Sequence, residues 1–321
     1  MKAIFVEKLG GPESLAIRDI DPPDKVTDGQ VRVAIEARGN SFQDVLLVAG
    51  EYHVKPDLPF IFGSEATGYI TEIGKDVENF KIGDAVLTSA GCVEEAVLDS
   101  DSLTLIPEGT DIEAAAAFRS NYQTALYGMQ RGRLRAGETL LVHGAAGGVG
   151  LAAVDVGKLM GATVSATAGN DEKLKIVEQV GADHVINYSD GFREQVKELT
   201  DGRGADVIYD PVGGDVFDES MRCVAPFGRI LIVGFTGGRF ALAKTNHLLI
   251  KDAEVIGYTI GGLARQNPEW LERNHQVLMN WLAFGRINPY ISHRVPLSRA
   301  GDALTHIINR EVIGKAIVIN D

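Results

Sequence analysis

The chain has 321 residues, 45% of them hydrophobic and 23% charged, the composition of a folded globular protein long enough for two domains and not of a disordered or low-complexity one. Its 31 Lys and Arg against 44 Asp and Glu give a net charge of −13 with no basic cluster, which argues against binding nucleic acid or an anionic membrane surface. Only two cysteines, Cys92 and Cys223, stand far apart, and no apolar run approaches the ~20 residues of a membrane helix, so disulfide scaffolds, cysteine metal clusters and membrane spans are excluded and a cytoplasmic protein is expected.

Residues 1–122 read as strand-rich and irregular. Strands are expected at 1–7 and 30–37, with turns at Gly10-Gly11-Pro12 and Asp21-Pro22-Pro23 between them, and shorter strands at 68–74, 83–88 and 95–98. The pattern then changes. Leu140-Leu141-Val142 suits a strand buried on both faces, and the turn through Ala146, Gly147, Gly148 and Val149 leads into a helix-like segment ending near Met160. Glycines at 144, 147, 148 and 150 depart from G-x-G-x-x-G, yet a turn without Cβ atoms at a helix N-terminus admits a pyrophosphate, which points to a dinucleotide.

Further along, strands at 161–168, 184–186, 206–210 and 229–234 alternate with helices at 171–180 and 191–200. Such alternation predicts an α/β fold with a doubly wound, parallel Rossmann sheet, its ligand beyond the carboxyl ends of the strands, over residues 123–259. A helix at 268–284, another at 298–309 and a strand at 316–319 make a tail too small to stand alone, so 260–321 is assigned back to the domain of residues 1–122.

In its motifs, taken in order, the chain resembles the medium-chain dehydrogenase/reductase superfamily and, within it, the zinc-free quinone oxidoreductases that include ζ-crystallin. The resemblance rests on Gly10-Gly-Pro-Glu13, Leu58-Pro-Phe-Ile-Phe-Gly-Ser-Glu65, Gly83-Asp84, Tyr122-Gln-Thr-Ala125, the turn at 144–150, Gly181-Ala-Asp-His-Val-Ile-Asn-Tyr188, Tyr209-Asp-Pro-Val-Gly-Gly214 and Gly228-Arg-Ile-Leu-Ile-Val-Gly-Phe235. It covers the whole chain and implies a GroES-like catalytic domain beside the Rossmann domain. Zinc-dependent relatives carry Cys and His where this chain has Ser41 and Ser64; hydroxyls are poor zinc ligands, so no catalytic metal is expected.

The second Rossmann strand ends Thr167-Ala168-Gly169-Asn170, without the acidic residue that holds the ribose hydroxyls of NAD, so NADPH is the expected cofactor. The resemblance implies that Lys173 and Tyr188 bind its 2′-phosphate beside Gly169, that Thr124 faces the nicotinamide, and that Val212, Phe235 and Thr236 wall the cofactor. Asn170 reads as a helix cap and Asp210 as a turn residue. For substrate, the expected wall is Ser41, Asp44, Tyr52, Phe60 and Phe62, with Tyr52 orienting a carbonyl or relaying a proton; relatives place an asparagine where Ser41 stands, and here Asn40 precedes it.

The expected activity is hydride transfer from NADPH to a small quinone or conjugated enone. An enoyl thioester reductase of the same fold is an alternative, although no Arg/Lys cluster is present for a coenzyme A phosphate, and a non-catalytic, crystallin-like NADPH-binding protein is another. The segment 253–259 would be the edge of the cofactor sheet, and the resemblance implies a homodimer joined through it.

Overall fold

A computed structural model describes residues 1–321. In chain order it contains β1 (Lys2–Val6), β2 (Leu15–Asp19), β3 (Gln30–Asn40), α1 (Phe42–Ala49), β4 (Phe60–Ile61), β5 (Ala66–Ile73), β6 (Ala85–Thr88), β7 (Glu95–Asp99), β8 (Thr104–Leu105) and α2 (Ile112–Arg131). Next come β9 (Thr139–Val142), α3 (Gly148–Leu159), β10 (Thr163–Ala168), α4 (Asp171–Val180), β11 (His184–Asn187), α5 (Arg193–Glu198), β12 (Ala205–Asp210), α6 (Gly214–Cys223), β13 (Val224–Ile232), α7 (Thr245–Lys251) and β14 (Glu254–Gly257). The chain closes with α8 (Ile260–Gln266), α9 (Pro268–Ala283), β15 (Ile291–Pro296), α10 (Ala300–Ile308) and β16 (Lys315–Ile319). It divides into two units, Met1–Ser120 with Trp281–Asp321, and Asn121–Asn280.

In the second unit six strands form one parallel sheet ordered β11-β10-β9-β12-β13-β14. Leu140, Leu141, Val142, Val207, Ile208 and Ile230 are fully buried, as strands covered by helices on both faces must be. The first strand of the series lies inside the sheet and the chain winds outward from it in both directions. That order puts the switch point between β9 and β12, at whose carboxyl ends a doubly wound sheet opens a crevice. The expected Rossmann architecture is therefore present.

The first unit is built on β3, whose residues Val31, Val33, Ile35 and Ala37 are buried at every second position. Its larger sheet runs β15-β16-β3-β5-β6-β8, with β7 also on β3, and a small sheet runs β2-β1-β4. β16 pairs antiparallel with β3 from Ala316 opposite Asn40 to Ile319 opposite Ala37, so the last residues complete a sheet begun by the first hundred.

Two features differ from the sequence reading. Residues 42–49 and 112–122, the latter the first part of the helix 112–131, are helical within a stretch read as strand-rich. Residues 260–280, assigned above to the first domain, fold with the second unit, because α9 hydrogen-bonds to α2: Trp270 Nε1 donates to Gln130 Oε1 at 2.9 Å, Asn274 Nδ2 to the same oxygen at 2.8 Å, and Gln123 Nε2 lies 3.2 Å from His275 Nδ1.

Candidate functional site

The strand β9 delivers the chain into a turn closed by backbone hydrogen bonds: His143 N to Tyr209 O at 3.0 Å, Ala145 N to Thr167 O at 2.9 Å and Gly147 N to Gly144 O at 2.9 Å. Gly144 has a positive φ of 55°, and a Cβ on Gly150 would stand 2.3 Å from Gly144 O, so the helix sits on the turn at a distance only glycine permits. Gly147 is the N-cap of α3 and no side chain caps that end. The first N–H groups of α3 and its positive dipole end therefore face the switch point, the arrangement that holds a diphosphate.

Other expected cofactor residues gather at the same edge. Val212 Cγ2 lies 3.4 Å from where a Gly144 Cβ would be. Thr236 donates from both N and Oγ1 to Pro211 O at 3.0 Å, and Gly237 N donates to Val212 O at 2.9 Å, which ties the Phe235–Thr236 loop to the loop after β12. Asp210 acts as a turn residue: its Oδ1 accepts from Val212 N at 2.8 Å and Gly213 N at 2.9 Å, and burial holds its carboxyl above the usual range.

One strand over, β10 pairs with β11 with Ala168 opposite Asn187, which carries Gly169 and Tyr188 together. A Cβ on Gly169 would stand 3.4 Å from the Tyr188 hydroxyl. Asn170 caps α4, its side chain accepting from Lys173 N at 2.9 Å, and Lys173 is thereby fixed in the first turn of that helix. Thr124 lies on α2, its carbonyl accepting from Tyr258 Oη at 3.0 Å, and Asn121 on the same helix packs against Gly148. The uncapped N–H groups at the start of α3 are the donors that a dinucleotide's diphosphate would use at the turn.

Sequence reasoning passed over the polar centre beneath this turn. His143 is fully buried, with Nδ1 3.0 Å from Thr167 Oγ1 and Nε2 2.9 Å from Ser220 Oγ. Ser220 Oγ donates to Val216 O at 2.7 Å, so its oxygen accepts from Nε2–H and the Thr167 hydroxyl donates to Nδ1. Burial pushes the imidazole pKa down to about 3 and keeps it neutral.

In the first unit the expected substrate residues separate into two kinds. Ser41 is the N-cap of α1 in a capping box: Asp44 Oδ2 accepts from Ser41 N at 2.7 Å and from Ser41 Oγ at 3.0 Å. The Ser41 hydroxyl is thus engaged by Asp44, which is buried, and burial raises the Asp44 carboxyl against the opposing pull of Lys315. Phe62 is 1% exposed and belongs largely to the hydrophobic core around Ile4 and Leu304. Asp44, Leu47, Pro56, Phe60, Phe62 and Ser64 border a cavity of about 280 Å³. Tyr52 is half-buried, its ring 4.1 Å from that of His53, and burial together with the nearby Asp44 charge raises its phenol pKa.

Asn40 has a side chain that is 1% exposed, and neither its Oδ1 nor its Nδ2 has a partner in the protein. Behind it, Glu65 and Lys315 form a buried ion pair at 3.0 Å that Ser120 Oγ joins, at 3.0 Å from Lys315 Nζ and 2.8 Å from Glu65 Oε2. A buried lysine in the last strand has no local sequence signal, since its partner is 250 residues away.

Two family models match the chain, the "alcohol dehydrogenase GroES-like domain" over residues 27–120 and the "zinc-binding dehydrogenase" over residues 148–275. Quinone oxidoreductase-like protein 2 homolog of Nematostella vectensis is 36% identical over 99% of this chain and 88% of its own length, and the quinone oxidoreductase of Pseudomonas aeruginosa is 34% identical over 99% of both. The crystal structure of Escherichia coli quinone oxidoreductase complexed with NADPH superposes with a TM-score of 0.88 at 29% identity, over 99% of this chain and 100% of that one.

Proposed function

Because the chain belongs to the zinc-free quinone oxidoreductase family of the medium-chain dehydrogenases/reductases, we propose that it is an NADPH-dependent reductase of quinones or conjugated enones. The observation that carries this reading is the bare, glycine-built N-terminus of α3 at the switch point of the parallel sheet. When bound there, a reduced nicotinamide supplies a hydride, and a proton completes the reduction of the acceptor.

In this reading Ala146, Gly147, Gly148 and Val149 present backbone N–H groups to the diphosphate, and Val212, Phe235 and Thr236, with Thr124 on α2, border the nicotinamide end. Lys173 and Tyr188 take the 2′-phosphate beside Gly169, with Lys173 supplying the positive charge. Serines at 41 and 64 offer neither thiolate nor imidazole, so the negative charge that develops on the substrate must spread through its own conjugation. Tyr52, its phenol kept protonated, donates a hydrogen bond to the acceptor carbonyl, and Ser41 acts by holding Asp44.

The test is NADPH oxidation by metal-stripped protein with a small benzoquinone or a conjugated enone, run beside NADH. Turnover with a clear preference for NADPH supports the reading. Tight NADPH binding without turnover on either acceptor would overturn it in favour of an acyl thioester substrate or a non-catalytic role.

A further inference from the structure

A second group of ligating side chains lies in the first unit, built from residues that take no part in the proposed reaction. His293 on β15, His306 in the last turn of α10 and Glu311 just beyond that helix each offer one ligand atom, and the three atoms lie within 4.8 Å of one another. The two imidazoles face each other with ring centroids 4.4 Å apart and planes tilted by 36°. We propose that His293, His306 and Glu311 form a binding site for a borderline divalent transition-metal cation, of which zinc is the reference.

The donor set carries the choice of metal. Two imidazoles and one carboxylate are the ligands of zinc and its neighbours, whereas magnesium and calcium take oxygen. Three donors leave one position of a tetrahedron for water. Tetrahedral ligands at ~2.0–2.1 Å from zinc stand about 3.4 Å from one another, so the wider pairs must close by roughly 1.4 Å at most and the His306–Glu311 pair must open by roughly 0.9 Å. All three are partly exposed and have that freedom.

The surroundings hold the ligands in place. Ser292 Oγ lies 2.8 Å from His293 Nδ1 and itself accepts from Ile313 N at 3.0 Å, which anchors the first ring to the turn before β16. Asn309 Nδ2 donates to Glu311 Oε1 at 3.3 Å, while the 2.5 Å contact between His306 Nδ1 and Glu311 Oε2 is between two of the ligands and gives way to the cation. Hydrogen-bond partners of this kind orient metal ligands. A cation held here would clip β15, α10 and the turn at 309–314 together, and with them the segment that closes the sheet on β3.

Full-length protein, stripped with EDTA and returned to metal-free buffer, is titrated with zinc chloride by calorimetry, and its melting temperature is followed with and without zinc. The proposal expects one zinc per chain and a raised melting temperature. His293→Ala and His306→Ala should each weaken zinc binding at least tenfold and abolish the rise, while quinone turnover stays as in the parent. Absence of zinc binding below 100 µM free metal, or binding of equal strength in both variants, would overturn it.

Discussion

His143 shows how much one buried side chain can set the pH dependence of stability. Unfolded, its imidazole takes up a proton near pH 6.5; folded, it stays neutral down to about pH 3. Between these values the unfolded chain binds the extra proton, so the stabilisation present above pH 6.5 is lost as pH falls, at about 1.4 kcal/mol per pH unit. Wild type should lose roughly 2 kcal/mol from this residue between pH 7 and pH 5. His143→Gln keeps a neutral hydrogen-bonding side chain and should flatten that part of the slope, as measured by urea unfolding at the two values; equal losses in both proteins would mean that His143 titrates normally. The glycine turn tests a different force. Gly150→Ala drives a Cβ to 2.3 Å from Gly144 O and 2.7 Å from Ala145 Cα, both backbone atoms, and should cost roughly 3 kcal/mol and most NADPH affinity. Gly147→Ala meets only Gly144 O at 3.3 Å and should fold normally, which separates the shape of the turn from the mere presence of glycine.

Among elements, the strands of the parallel sheet were legible because most are short apolar runs, and α4 because a capping residue starts it. The helix expected at 171–180 is found at Asp171–Val180, capped by Asn170 as read. The helices α1, α2, α6 and α7 escaped. α1 has only eight residues and announced itself by Ser41 and Asp44 at capping-box spacing, a pattern read above as substrate wall, and by Gly50 directly after it. The contact that joins β16, α2 and the start of β5 was invisible, because Lys315, Ser120 and Glu65 meet only through the fold. Burial pulls the Glu65 carboxyl up, and Lys315 and Arg119 together overcome that pull and leave it below its usual range. Lys315→Met strands that carboxylate in the interior and should cost about 3–5 kcal/mol, whereas Lys315→Met with Glu65→Leu removes both charges and should recover much of the loss. Denaturant unfolding of the two single variants and the double variant closes the cycle; additive losses would show that the pair is not coupled.

For the whole molecule, the open question is what covers the end of the six-stranded sheet. β14 is hydrogen-bonded to β13 on one side only, and an edge of free N–H and C=O groups is prone to pair. The helix just before it, α7, leaves Leu249 and Ile250 80% and 79% exposed, more apolar surface than a solvated helix of seven residues has reason to show. A second copy related by a two-fold axis would lay one β14 antiparallel to the other, joining 2 × 6 strands into a continuous sheet while giving both exposed side chains a partner. We expect sedimentation equilibrium at micromolar concentration to give twice the chain mass, 2 × 34.5 = 69 kDa. Leu249→Asp with Ile250→Asp places two charges per copy in that contact and should shift the mass toward 34.5 kDa, leaving the glycine turn intact because neither residue lies against its glycines. A wild-type protein that sediments at the mass of one chain would remove the dimer, and the apolar face of α7 would then have to be covered by something other than a second copy.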